Sequence, residues 1–310
     1  MNAKEIVDYR LEGVKTFSEL LNRMGQGWGF EAAQLANAYN IILEMVGDKE
    51  CIKFLSVTAN IVSTGLRGVI AEMVERGLCD IIITTGGTFD HDIAKSISKY
   101  YRGDFIMNDR DLKKRETHRL GNILIPQGSY GTTIESFTIP MLREITREKK
   151  VFSSRELAEE VGKRLRDRNS ILRSAYERKV PVYAPGLVDS AFGTQLFIFS
   201  QTNEFTLNLL KDMKELSDIV FSSKKTGALI LGGGISKHHT IWWNQFKGGL
   251  DYVVSLTTAY EFDGSLSGAR LEEAITWNKV RESAAIALVH VDVTLALPLL
   301  LAAVYEGTAK

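Results

Sequence analysis

The sequence predicts an α/β fold, a doubly wound and mostly parallel sheet with helices on both faces, on three observations. Short apolar, β-branched runs alternate with longer segments of helical periodicity along the chain. The runs are apolar at consecutive positions, as in strands covered on both faces. Glycines cluster directly behind two of the runs, where a parallel strand would turn into a helix.

Taken in order, strands are expected at 52–57, 80–85, 122–126, 181–184, 228–231, 251–256 and 287–291. Helices are expected at 67–76, 135–148, 155–168, 206–219 and 271–281. Their alternation implies crossover connections and an open sheet. The stretch 284–305 is the most apolar, yet His290, Asp292 and Pro298 interrupt it. A bilayer core would penalise the aspartate, so a buried strand followed by a helix is the better reading. The five prolines are scattered and there is no linker, repeat or low-complexity segment, so residues 1–310 are read as a single domain.

Of the 310 residues, 45% are apolar and 25% charged, enough for a sizeable ordered core. Thirty-eight basic residues balance 38 acidic ones, which argues against broad nucleic-acid binding. The charge-dense stretches 110–119 and 143–150 read as solvated surface. The two cysteines, Cys51 and Cys79, sit in or beside apolar runs, which excludes a disulfide framework and a cysteine-based zinc site. Two buried thiols suit a reducing compartment, and the charged start MNAKEIVDYRLEGVK is no signal peptide. A cytoplasmic protein without a membrane span is expected.

The chemistry should sit behind the strands. The clusters IIITTGGTFDHD (81–92) and ALILGGGISKHHT (228–240) place glycines where backbone can approach a phosphate closely. Neither matches G-x-G-x-x-G or the P-loop, and each alone reads equally as a tight turn. Together, with Thr84, Thr85, Ser236 and Asp90 adjacent, they point to a dinucleotide crevice. His238 and His239, followed by Trp242 and Trp243, read either as a partly buried helix start or as a base kept neutral by a helix N-terminus. A zinc site from His91 and His238 has no supporting spacing, and no metal is expected. Between 257 and 282, Glu261, Asp263, Glu272 and Glu273 precede Lys279, which lies two residues past Trp277 and near Arg281. The segment reads as a charged surface helix or as the setting of a nucleophilic lysine. An ideal helix would turn Glu273 and Trp277 away from Lys279, so a pocket shared by the three requires a bend.

The blocks GGGISKHH, DYVVSLTTAYEFDGSLSGAR and EEAITWNKVR, in that order, resemble the C-terminal half of deoxyhypusine synthases. The resemblance continues upstream through RKVPVYAPGLVDSAFG, HRLGNILIP, TANIVSTGLR with DIIITTGG, and GFEAAQLANAYNII, covering roughly 25–306. It implies a Rossmann-like NAD-binding fold and a homotetramer with active sites at subunit interfaces. It also implies transfer of the aminobutyl group of spermidine to a lysine of translation initiation factor 5A, with NAD retained and the group carried as an imine on an enzyme lysine. By the same resemblance Lys279 is that lysine and His238 contacts the polyamine as proton acceptor. Glu273 and Trp277 line the polyamine tunnel. The NAD positions are Ser63, Thr85, Gly86, Gly87, Asp189, Gly233, Thr258, Ala259, Asp263, Asp292 and Val293. A buried Asp292 behind a strand would be satisfied by ligand or backbone donors.

This sequence departs from the family pattern at the amine site. The acidic run after the first glycines reads Asp90-His91-Asp92, with His91 where an acid is expected. Thr194 and Leu266 also replace acids, Ser255 replaces a tyrosine, and Ala59 replaces a serine. Asp90, His91 and Thr194 remain substrate-site positions by the resemblance. Each missing charged hydrogen bond to a polyamine would cost ~1.5–3 kcal/mol. The departures admit a related aminoalkyl transferase with another donor or acceptor, homospermidine synthase-like, or a non-catalytic NAD-binding paralogue.

Overall fold

The computed structural model describes residues 4–308. In chain order the helices are α1 (Phe17–Gly27), α2 (Phe30–Gly47), α3 (Ala59–Val62), α4 (Leu66–Glu75), α5 (Gly86–Ile97), α6 (Asp109–Lys114), α7 (Gly131–Ile145), α8 (Ser154–Arg164), α9 (Ile171–Arg178), α10 (Ala191–Ser200), α11 (Leu209–Ser222), α12 (Gly234–Asn244) and α13 (Val293–Thr308). The strands are β1 (Cys51–Val57), β2 (Ile81–Thr85), β3 (Tyr101–Arg102), β4 (Thr117–Leu120), β5 (Ile123–Pro126), β6 (Val151–Phe152), β7 (Val182–Gly186), β8 (Thr206–Leu207), β9 (Lys225–Leu231), β10 (Leu250–Thr257) and β11 (Val280–His290). The residues group into two compact units: those up to Ser56 with those from Ser217 onward, and Val57–Leu216.

In the first unit the strands run in the order β11, β10, β9, β1, and β10 is parallel to both neighbours, with Val254 opposite Leu229 and Ala287. Thr226–Leu231 are buried without a break, so both faces are covered, as their unalternating apolar sequence predicts. Helix α2 packs beside β11, where Asn37 donates to the Ile286 carbonyl and Glu31 accepts from the His290 N–H. The strand-then-helix reading of 284–305 holds as β11 and α13. Asp292 is exposed, however, not buried. It starts α13, accepting from the Thr294 N–H at 2.7 Å, so its carboxylate is satisfied by the helix it caps.

In the second unit β2 runs parallel to β7. Helices α8, α9 and α10 begin in one way. Ser153, Ser170 and Ser190 each accept from a first-turn N–H, and a buried aspartate from elsewhere covers two further N–H groups. Asp212 takes those of Ser154 and Arg155, Asp92 those of Ile171 and Leu172, and Asp90 those of Ala191 and Phe192.

Three expectations need correction. The run at 122–126 is a strand, but it pairs antiparallel with β3 and β4 in a small sheet. Only two residues separate β4 from β5, with Gly121 at φ +59°, and a two-residue turn can join only antiparallel strands. The helix expected from 206 starts at Leu209, because Thr206 and Leu207 pair with β6. The helix expected at 271–281 is a single 3-10 turn, Glu273–Trp277, which ends at Asn278 and passes into β11.

Candidate active site

Asn278 sits in the left-handed region at φ 56°, and the Lys279 N–H donates back to the Ala274 carbonyl at 3.0 Å. The Lys279 carbonyl accepts from the Leu250 N–H at 3.1 Å, so the lysine backbone is held from both sides. This reversal is the bend that a shared pocket requires. The Lys279 ammonium then lies 5.1 Å from the Trp277 ring centroid and 5.6 Å from that of Trp242. Lys279 is 9% exposed, while Trp277 is 61% exposed and forms the outer wall.

Helix α12 supplies the other side. His238 stacks on Trp242 one turn on, with ring centroids 5.5 Å apart. Burial, and then the charge of Lys279, holds the imidazole below its ordinary pKa, so it is neutral at neutral pH. Desolvation and the neighbouring cation both lower that pKa. His239 turns elsewhere, its Nε2 accepting from Trp243 Nε1 at 3.1 Å. Glu273 is exposed on the 3-10 turn.

Gly233 follows β9, Thr258 and Ala259 follow β10, and Asp292 and Val293 follow β11. These strands are adjacent and parallel, so the five residues share the carboxyl end of one sheet, where open α/β sheets bind ligands. Gly233 must be glycine, because a Cβ there would overlap Ser267. Gly233 brings no capping side chain of its own to α12, and the first N–H of the helix, that of Gly234, donates to Ser267 Oγ at 3.1 Å. Asp263 accepts from the Ser265 N–H at 2.6 Å within its own turn. Ser255 is buried in β10 with an unpartnered hydroxyl, and Leu266 is half-buried.

In the second unit the first glycine turn opens α5 at the end of β2. A Cβ on Gly86 would come within 2.5 Å of the Leu187 carbonyl, and one on Gly87 within 2.8 Å of Ala59. No side chain caps α5 at Thr85. Asp189 is exposed beyond β7, and Ser63 is buried, donating to the Asn60 carbonyl at 2.6 Å. The residues after the glycines turn inward. Asp90 also accepts from Tyr130 at 2.7 Å, and burial raises its pKa. His91 Nδ1 pairs with the Tyr100 hydroxyl at 3.0 Å, and burial, then Lys95, pushes its pKa down to about 4. Thr194 is exposed, and its hydroxyl donates to the Ser190 carbonyl at 2.9 Å.

Sequence reasoning gave Trp242 no part in the site and did not single out Lys95 or Lys237. The four-residue spacing from His238 to Trp242 was a readable signal. Lys95 donates to the Val62, Ser63 and Thr64 carbonyls, a backbone geometry no spacing announces.

A deoxyhypusine synthase family model matches residues 19–304. The chain belongs to the deoxyhypusine synthase family. It is 50% identical over 298 residues to a probable deoxyhypusine synthase of Sulfurisphaera tokodaii, covering 96% of each chain. It is also 50% identical over 311 residues to one of Ignicoccus hospitalis, covering 98% and 97%. A crystal structure assigned as a deoxyhypusine synthase from Entamoeba histolytica shares the fold, with a TM-score of 0.65 at 21% identity and 97% of both chains covered. Membership makes the chain a transferase. Among the described residues no helix is long and apolar enough to cross a membrane.

Proposed function

We propose that this protein transfers the aminobutyl group of spermidine to a lysine of translation initiation factor 5A, with NAD as resident cofactor and Lys279 as carrier. One observation carries the reading: the Lys279 amine, almost buried, sits between two indole rings beside a neutral imidazole. The indoles suit a cationic amine and exclude water from an imine at Lys279. His238 can take the proton that the attacking amine releases, since it is uncharged before the step. Trp277 and Glu273 would hold the amine chain, Glu273 through charge.

NAD fits the residues present. At α5 the helix begins without a side-chain cap, leaving N–H groups suited to a pyrophosphate, while at α12 Ser267 takes the first N–H and packs where a Cβ of Gly233 would stand. By the resemblance, Gly233, Thr258, Ala259, Asp263, Asp292 and Val293 are NAD positions of the first unit, and Ser63, Thr85, Gly86, Gly87 and Asp189 are NAD positions of the second, each set considered by itself. When bound, NAD supplies reversible hydride acceptance, with no net oxidation over the cycle. Asp90, His91 and Thr194 as substrate positions and the homotetramer with interfacial sites are proposed on the resemblance, the single domain on the lack of any linker or repeat, and the cytoplasmic location on the two thiols in apolar runs and the charged start. The intramolecular bonds of His91 and Thr194, with Leu266 in place of an acid, favour a second reading: a related aminoalkyl transferase with another donor or acceptor, either homospermidine synthase-like, passing aminobutyl to putrescine, or using agmatine or another diamine as donor.

Trapping tests both. Protein with NAD is incubated with spermidine, reduced with borohydride and digested for mass spectrometry. A butylamine adduct on Lys279 supports the reading. An adduct formed only with putrescine or agmatine moves it to the second. No adduct with any amine leaves a non-catalytic NAD-binding paralogue.

A further inference from the structure

Lys237 has no part in the chemistry above, yet it is 1% exposed and stands next to His238 on α12. Its ammonium donates to the Ala269 carbonyl at 2.9 Å and to that of Ser267 at 3.5 Å. Among the described residues no carboxylate forms an ion pair with it. Burial pushes its pKa down to about 8, and Glu273, the charged group facing it, opposes that shift. An ammonium satisfied only by carbonyls is a costly way to fill a core position that methionine would fill as well.

The segment it grips explains its presence. Residues 265–270 form neither helix nor strand, and they lead straight into the 3-10 turn bearing Glu273 and Trp277. Three ties fix this segment. Lys237 grips two carbonyls, Ser267 Oγ accepts from the Gly234 N–H at 3.1 Å, and Gly268 lies so close to Tyr260 that no Cβ would fit. Two of the three reach α12 or the turn that opens it. The helix carrying His238 and the segment carrying Trp277 are therefore joined through the residue beside His238.

We infer that Lys237 is a positioning residue for the amine site, its buried ammonium stapling residues 265–270 to α12 so that Glu273 and Trp277 stand in register with His238 and Lys279. This rests on the proposed amine-transfer reading.

The test compares the wild type with Lys237→Met by hydrogen exchange and by steady-state kinetics with spermidine and NAD. The expected result is a folded variant with about tenfold or faster exchange in peptides spanning 262–271 and unchanged protection in α12. KM for spermidine should rise about tenfold with kcat within about threefold, and the borohydride adduct on Lys279 should still form at saturating amine. Unchanged exchange and unchanged KM in a folded variant would overturn the inference. If Lys237→Met does not fold, Lys237→Gln, which keeps a donor without the charge, should show the same changes at smaller size; wild-type behaviour there overturns it equally. Wild-type protein that gives no Lys279 adduct refutes the amine-transfer reading instead, while the exchange result still decides whether the staple exists.

Discussion

The two glycine turns resemble each other in sequence and differ in where the side chains beyond them point. Each stands behind a parallel strand, opens a helix whose N-cap residue makes no side-chain cap, and has a histidine five residues beyond Gly86 or Gly233. After the first turn the polar side chains point into the core. Asp90 and Asp92 cover the N-termini of α10 and α9, and His91 is buried against Tyr100 and Tyr130. After the second, His238 stacks on Trp242 and faces Lys279. The first motif turns its acids and histidine inward, whereas the second buries Ser236 and Lys237 but leaves His238 beside Lys279. The difference arises from which distant segments pack against each helix, not from the turn itself.

The sharpest way to break this comparison is at Lys279. Lys279→Ala should lower transfer by at least about 10⁴-fold, with the fold and NAD binding retained. Activity and NAD titration on the purified variant measure both, and an active alanine variant would remove the contrast. On the other side, Asp92→Ala should leave buried Arg67 with Asp167 as its one remaining carboxylate partner and two N–H groups of α9 without their acceptor. A loss of about 3–5 kcal/mol in denaturant unfolding is expected. A loss of activity without a loss of stability would place Asp92 with the chemistry instead.

The two histidines separate more gently. The folded-state pKa of His91 is about 4 against an ordinary 6.5, so the unfolded chain takes up its proton first as pH falls. Its contribution is whole above pH 6.5 and is lost between 6.5 and 4, about 3 kcal/mol in total. Unfolding curves across that window should fall more steeply for wild type than for His91→Phe, and parallel curves would refute it. His238→Gln should cost about 10²-fold in kcat with stability nearly unchanged. If the stability cost exceeds the kinetic one, His238 belongs with the architecture.

Much of this was legible in the chain. Consecutive apolar runs announced β1, β2, β7, β9 and β10, because burial on both faces leaves no room for alternation, and also β11, which lies at the edge of its sheet and is only half-buried over much of its length. The glycines marked the strand ends, and TWNK with GGGISKHH carried the resemblance that led to Lys279. Local pattern failed where local preference was overruled. Residues 271–281 have helical spacing, but the turn at Asn278 and the pairing of β11 with β10 end the helix after one 3-10 turn. Asp292 looked buried because its neighbours are apolar, yet it caps α13 in solvent.

The sequence by itself therefore determined the strands of the large sheet, the two glycine turns and, through the resemblance, the lysine proposed as carrier, since each is carried by residues close together along the chain. Only the tertiary structure decided which acids serve as helix anchors, that Lys279 comes to lie over Trp242, and that Lys237 grips the carbonyls of Ser267 and Ala269. Those are questions of which groups share a desolvated space, and in a parallel sheet the neighbours in space come from segments tens of residues apart.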